Sequence, residues 1–144
     1  MNKLSGLGAV VSFVFLLGGS ARADDAVVPS ATEWQTVIAS QIQAFRDHDA
    51  PGALSFASED FRKRFTDPKE FFITIISSGY SPIMESRSQT FGAFQMTGTD
   101  EVLQEVKLTG NDQSIYEAFY QLSREAEGWR VHAVQLLKTT GLGV

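Results

Sequence analysis

The apolar residues of this chain recur every 3.6 positions as far as Gly79 and every two positions after it. A helical first half must therefore bury its stripe against a sheet built from the second half. Trp34, Val37, Ile38, Gln41, Ile42 and Phe45 share one stripe, which predicts a helix from about Glu33 to Asp47 with Thr32 as its cap. Asp49 and Pro51 restart helical grammar in DHDAPGALSFAS, with Leu54 and Phe56 turned inward. In SEDFRKRFT, the four-residue spacing of Phe61 and Phe65 puts both on one helix face. Asp67, Pro68 and Glu70 then supply a cap, a first-turn proline and a capping-box acid ahead of Phe71, Phe72, Ile75 and Ile76. Gly79 stops that helix.

Beyond Gly79, Pro82 is expected to hold Ser81 out of helical space. Strands are expected over 88–96, 102–108, 114–125 and 129–137, joined by short loops of Gly, Asp and Asn, the signature of an antiparallel meander. Strict alternation assigns the faces. In the last strand Trp129, Val131, Ala133, Gln135 and Leu137 form the inner row, and Arg130, His132, Val134 and Leu136 the outer one. Tyr116, Tyr120 and Gln104 fall on inner rows, while Glu117 and Gln121 mark the outer side. An apolar strip of Ile115, Phe119, Val134 and Leu136 on that outer side predicts a homodimer through the sheet face.

The N-terminus follows a different grammar. Lys3 precedes an uncharged run from Leu4 to Leu17, and Ala21-Arg22-Ala23 matches the small-residue cleavage pattern of a secretory signal peptide. Residues 1–23 are expected to be removed between Ala23 and Asp24, which predicts a periplasmic or secreted protein without a stable membrane anchor after cleavage. The run is too short and too glycine-rich at its end to serve as a bilayer span. Residues 24–32 read as an extended leader with Pro29, residues 33–137 as one domain, and 138–144 as a flexible glycine-rich tail. Cleavage would take two basic residues and no acidic one, moving the formal charge from the -5 of the whole chain further negative. An acidic surface without a basic stripe argues against nucleic acid as a partner. With no cysteine, the fold has to stand on its apolar core.

IQAFRDHDAPGALSFAS (42–58), FGAFQ (91–95), VLQEVKLT (102–109) and GWRVHAVQL (128–136), in this order, resemble a family of small exported bacterial proteins known only as a domain of unknown function. More broadly, helices followed by a meander that ends in a Gly-Trp-Arg-Val strand resemble the nuclear transport factor 2-like superfamily. That resemblance implies an α+β cone, with N-terminal helices packed on the concave face of a curved antiparallel sheet of four or more strands and a pocket between the layers. Related folds carry isomerases, dehydratases, cyclases and plain binding or dimerisation modules, so the fold leaves function open.

The expected pocket lining is Tyr80, Gln104, Tyr116, Tyr120, Trp129 and Gln135, with Met84 near the mouth and Val131, Phe72 and Ile76 supplying contact area. These residues bring hydroxyls and amides but no carboxylate or imidazole, and a tyrosine of ordinary pKa is no base at neutral pH. His132 is expected to face outward, Arg87 to be a solvated loop residue, and no catalytic residue is assigned. In DHD (47–49) consecutive residues at a helix end cannot converge on one ion, and no other His or Cys lies nearby, so no metal site is assigned. No glycine-rich phosphate loop follows a strand, and no cofactor is expected. The reading is a non-catalytic domain that binds a small apolar ligand or a protein partner. An isomerase or dehydratase using Asp49 or Asp60 beside a tyrosine, and a pure interaction module, are the alternatives.

Overall fold

The computed structural model describes residues 29–139. The expected signal peptide, most of the leader and the end of the tail lie outside them. From Thr32 onward all the described elements belong to one compact unit.

Helix α1 (Ala31–Arg46) buries Trp34, Ile38, Gln41, Ile42 and Phe45, the stripe that its spacing demands. It starts slightly earlier than expected, which leaves Thr32 inside the helix. Helix α2 (Ala50–Ser55) is capped by Asp49, whose carboxylate accepts from the Gly52 amide at 3.0 Å. Helix α3 (Glu59–Arg64) ends before Phe65. Helix α4 (Pro68–Ile75) begins at the expected Asp67 cap, which accepts from the Lys69 amide at 3.0 Å. It leaves the regular path through a wide turn, Ile76–Tyr80, where Gly79 takes a φ of 104° that a side chain would resist. Ser81 is helical, contrary to expectation, and opens a short helix α5 (Ser81–Glu85). Pro82 sits in its first turn, where the missing N–H has no partner to lose.

The sheet follows as β1 (Ser86–Gly98), β2 (Glu101–Gly110), β3 (Ile115–Glu125) and β4 (Gly128–Lys138), an antiparallel meander in which sequence neighbours pair. The fold is thus the expected α+β arrangement, helices first and a four-stranded sheet after. Its inner rows, Val102, Gln104, Val106 and Leu108, then Ala118, Tyr120 and Leu122, then Trp129 and Val131, are all buried. Helix α1 packs on them: Trp34 meets Trp129 edge-on at 5.3 Å and Phe94 at 5.1 Å between ring centroids. The β4 edge does not stay open at its start. Residues 56–58 run beside it in parallel, with the Ser58 amide donating to Val131 O at 2.8 Å and the Val131 amide to Phe56 O at 2.9 Å.

Alternation fails once, in β4. Leu122 pairs with Val131 but Gln121 pairs with Ala133, so His132 is an extra residue, a β-bulge. The bulge reverses the remainder of the strand. Val134 pairs with buried Tyr120 and Leu136 with buried Ala118, which puts both on the inner face. Gln135 and Leu137 pair with Phe119 and Glu117 and face outward. The expected outer strip of Ile115, Phe119, Val134 and Leu136 therefore does not exist as such. Ile115 and Phe119 remain outside, joined by Leu137, which is 49% exposed.

Candidate functional site

The bulge matters because it lies on the wall of a cavity. This hollow of about 280 Å³ sits between the β4 edge and the helices. Val131, His132, Ala133 and Val134 form the strand side; Gln41 and Phe45 of α1, Phe71 and Ile75 of α4, and Ile83 of α5 form the helical side. Ala57, Phe61 and Tyr80 complete it. The aromatic walls fix one another, since Phe71 meets Phe61 edge-on at 5.9 Å and lies 6.2 Å from Phe45. Phe65 closes on Phe71 from the far side at 5.6 Å.

The polar groups of this wall are few. The Tyr80 hydroxyl donates to Val134 O at 2.8 Å, and buried Gln41 donates through Nε2 to Ala53 O at 3.0 Å. His132 borders the cavity while remaining exposed. The expectation of a hollow without an imidazole is thereby corrected: His132 is among the residues that border it. Among the described residues no carboxylate joins it: Asp49 is occupied as a helix cap, Asp60 is an exposed residue of α3, and neither lines the cavity.

Of the residues expected to line a pocket, the structure brings only Tyr80 and Val131 to this wall. Gln104 is fully buried and serves the core: its Oε1 accepts from Trp34 Nε1 at 2.8 Å and from Gln35 Nε2 at 3.1 Å. Its Nε2 donates to the carbonyls of Gly92, Ala93 and Glu105, at 3.1, 3.3 and 2.9 Å. Trp129 donates to Glu33 Oε1 at 3.1 Å, with Arg124 over its ring at 5.0 Å. Tyr116 borders a separate depression with Pro82, Glu85 and Asp112. Phe72, Ile76 and Met84 border another, beside His48 and the exposed Ile73. Gln135 faces solvent on the opposite side of the sheet. Arg87 is an exposed residue of β1 that donates to Gln113 Oε1 at 3.0 Å.

Tyr120 is buried between the layers, and desolvation pushes its phenol well above the usual tyrosine range, the nearby Arg46 opposing this only in part. Arg46 itself donates to Ser86 Oγ at 3.0 Å and to Gln89 Oε1 at 2.6 Å. A phenol that resists ionisation when folded lets the unfolded chain lose its proton first. Stability is then fully present below the ordinary tyrosine pKa near 10 and declines as pH rises beyond it, by roughly 1 kcal/mol per pH unit. Thermal melts between pH 8 and 11 should show this decline, and Tyr120→Phe should flatten it. A variant that declines as steeply as the parent would refute the assignment.

Cavity residues missed from the sequence include Gln41, Phe61, Ile75 and Val134. One signal for Val134 was present, the adjacent apolar pair Ala133-Val134, which breaks the every-second-residue rhythm where a strand changes face.

Comparison with known proteins gives a family and a fold. The family model described as a domain of unknown function, DUF4864, matches residues 28–144. No curated protein matches the chain. A domain of unknown function with a cystatin-like fold from Nostoc punctiforme PCC 73102 is similar in structure, with 10% identity and a TM-score of 0.55 over 79% of this chain and 82% of that one. A protein of the DUF3225 family from Pectobacterium atrosepticum SCRI1043 has 11% identity and a TM-score of 0.50, covering 80% of this chain and all of that one, 100%. An NTF2-like protein of unknown function from Pseudomonas putida KT2440 aligns at 15% identity and a TM-score of 0.47, over 74% and 84% of the two chains.

Proposed function

The chain belongs to the family described as a domain of unknown function, DUF4864, and from that premise we propose that it is a non-catalytic module which takes a small apolar molecule into the cavity at the β4 edge. The observation that carries this reading is the cavity itself: about 280 Å³, mostly apolar and aromatic in lining, with the exposed His132 on its border. Burying hydrocarbon there removes it from water without stripping any charged side chain of its solvent.

4-Propyltoluene tests it directly. Saturable shifts of the Ala57, Val131 and Ala133 amides are expected, with a Kd on the order of 100 μM for a ligand of this size. Ile75→Trp should fill the hollow and abolish the shifts while the protein stays folded. Absence of saturable binding to the parent protein would remove the reading.

One observation favours a second reading, a pocket enzyme of isomerase or dehydratase type: His132 borders the cavity. Against it stand the exposure of His132 and the lack of a hydrogen bond to orient its ring among the described residues. A general base works from a fixed position within reach of substrate. Turnover of a bound ligand that disappears in His132→Gln would decide for the enzyme.

A further inference from the structure

The hydrogen bonds of the cavity wall already spend its best donor. The Tyr80 hydroxyl has one proton, and that proton goes to Val134 O at 2.8 Å. What the phenolic oxygen keeps for a ligand is acceptor capacity alone. The Gln41 amide is likewise oriented by its Nε2 bond to Ala53 O at 3.0 Å, which identifies its other pole as the carbonyl oxygen. Among the described residues no Asp, Glu, Lys or Arg lines the hollow, and the imidazole of His132 is exposed. A carboxylate or ammonium entering it would lose water and gain no buried counter-ion.

Size and wall shape narrow the class further. An apolar cavity of about 150 Å³ holds one benzene, so about 280 Å³ accommodates roughly a dozen non-hydrogen atoms, a single ring with a short chain. Phe45, Phe61 and Phe71 already meet in tilted and edge-to-face pairs, the arrangement that a ring entering among them would extend.

We propose that the cavity selects a neutral, single-ring molecule bearing a hydroxyl group, whose O–H is donated to the Tyr80 oxygen. This rests on the reading of the cavity as a binding site and adds the chemistry of what it binds. The ring lies among the three phenylalanines, and its hydroxyl points toward Tyr80 on the strand side. A methyl in place of that hydroxyl forfeits the bond, and a carboxylate in its place carries a charge that the wall cannot match.

The test is a three-ligand comparison on the unmodified protein, using 4-propylphenol, 4-propyltoluene and 4-propylbenzoate, read by amide shifts and by calorimetry at neutral pH. The phenol should bind at least tenfold more tightly than the toluene, and the benzoate should give no saturable signal. Tyr80→Phe should bring the phenol down to the toluene's affinity. Equal affinity of phenol and toluene, or binding of the benzoate as tight as the phenol, overturns the selectivity while leaving the apolar binding site standing. Failure of all three to bind overturns both.

Discussion

Replacing Gln104 by leucine is expected to destabilise the protein by about 1–3 kcal/mol, although the change makes a buried position more apolar. The side chain is fully buried and ties α1 to β1: it accepts from the indole of Trp34 and the Gln35 amide, both on α1, and donates to the carbonyls of Gly92 and Ala93 in β1. Leucine matches the volume roughly and satisfies none of these groups. A buried polar group left without a partner costs about 1–3 kcal/mol, and the Trp34 indole N–H is stranded in this way. Urea unfolding of the single variant, of Trp34→Phe and of the double variant should show a coupling of at least about 1 kcal/mol between the two sites. A loss below about 1 kcal/mol for Gln104→Leu would mean that the network adds nothing to stability.

Phe71→Ala is expected to cost more, about 3–5 kcal/mol, for a different reason. Phe71 is 2% exposed and sits against Phe45, Phe61 and Phe65, so truncation removes its burial and leaves a hole. For a domain of this size the melting temperature should fall by roughly 10–20 °C. Because Phe71 also forms part of the cavity wall, the same change should let the protein bind a pyrene-sized hydrocarbon that the parent rejects. A fall of only a few degrees would show that the aromatic cluster collapses around the gap, and would withdraw the claim that Phe71 sets the cavity's size.

How far the molecule was readable in its residues depended on whether a signal was local. The Asp67-Pro68 start of α4 and the Gly79 stop each need only a few neighbouring residues, and both stand where their chemistry placed them. The inner rows of β2 and β3 follow from alternation alone. Ser81 went the other way: the restriction before a proline is a preference, and packing of Ile83 into the core outweighs it. The face reversal at His132 depends on how β4 registers against Gln121 and Leu122, a pairing that β4 taken by itself does not specify. That one extra residue exchanged Gln135 for Val134 at the inner face. The cavity was harder still, because its wall draws on α1, α4, α5, the stretch around Ala57 and β4 together. Gln104 was assigned to the pocket because a polar residue on an inner row suggests a ligand. The carbonyls that occupy it belong to a bulge in β1, which only the pairing of β1 with β2 reveals.

The short parallel run of residues 56–58 along Val131 reaches beyond the helices it tethers. By occupying the hydrogen-bonding rim of β4 there, it leaves β1 as the flank with no strand alongside it among the described residues. Two molecules meeting along that flank would each turn outward a β4 rim already covered around Val131. At that stretch a further strand finds no free ladder to extend.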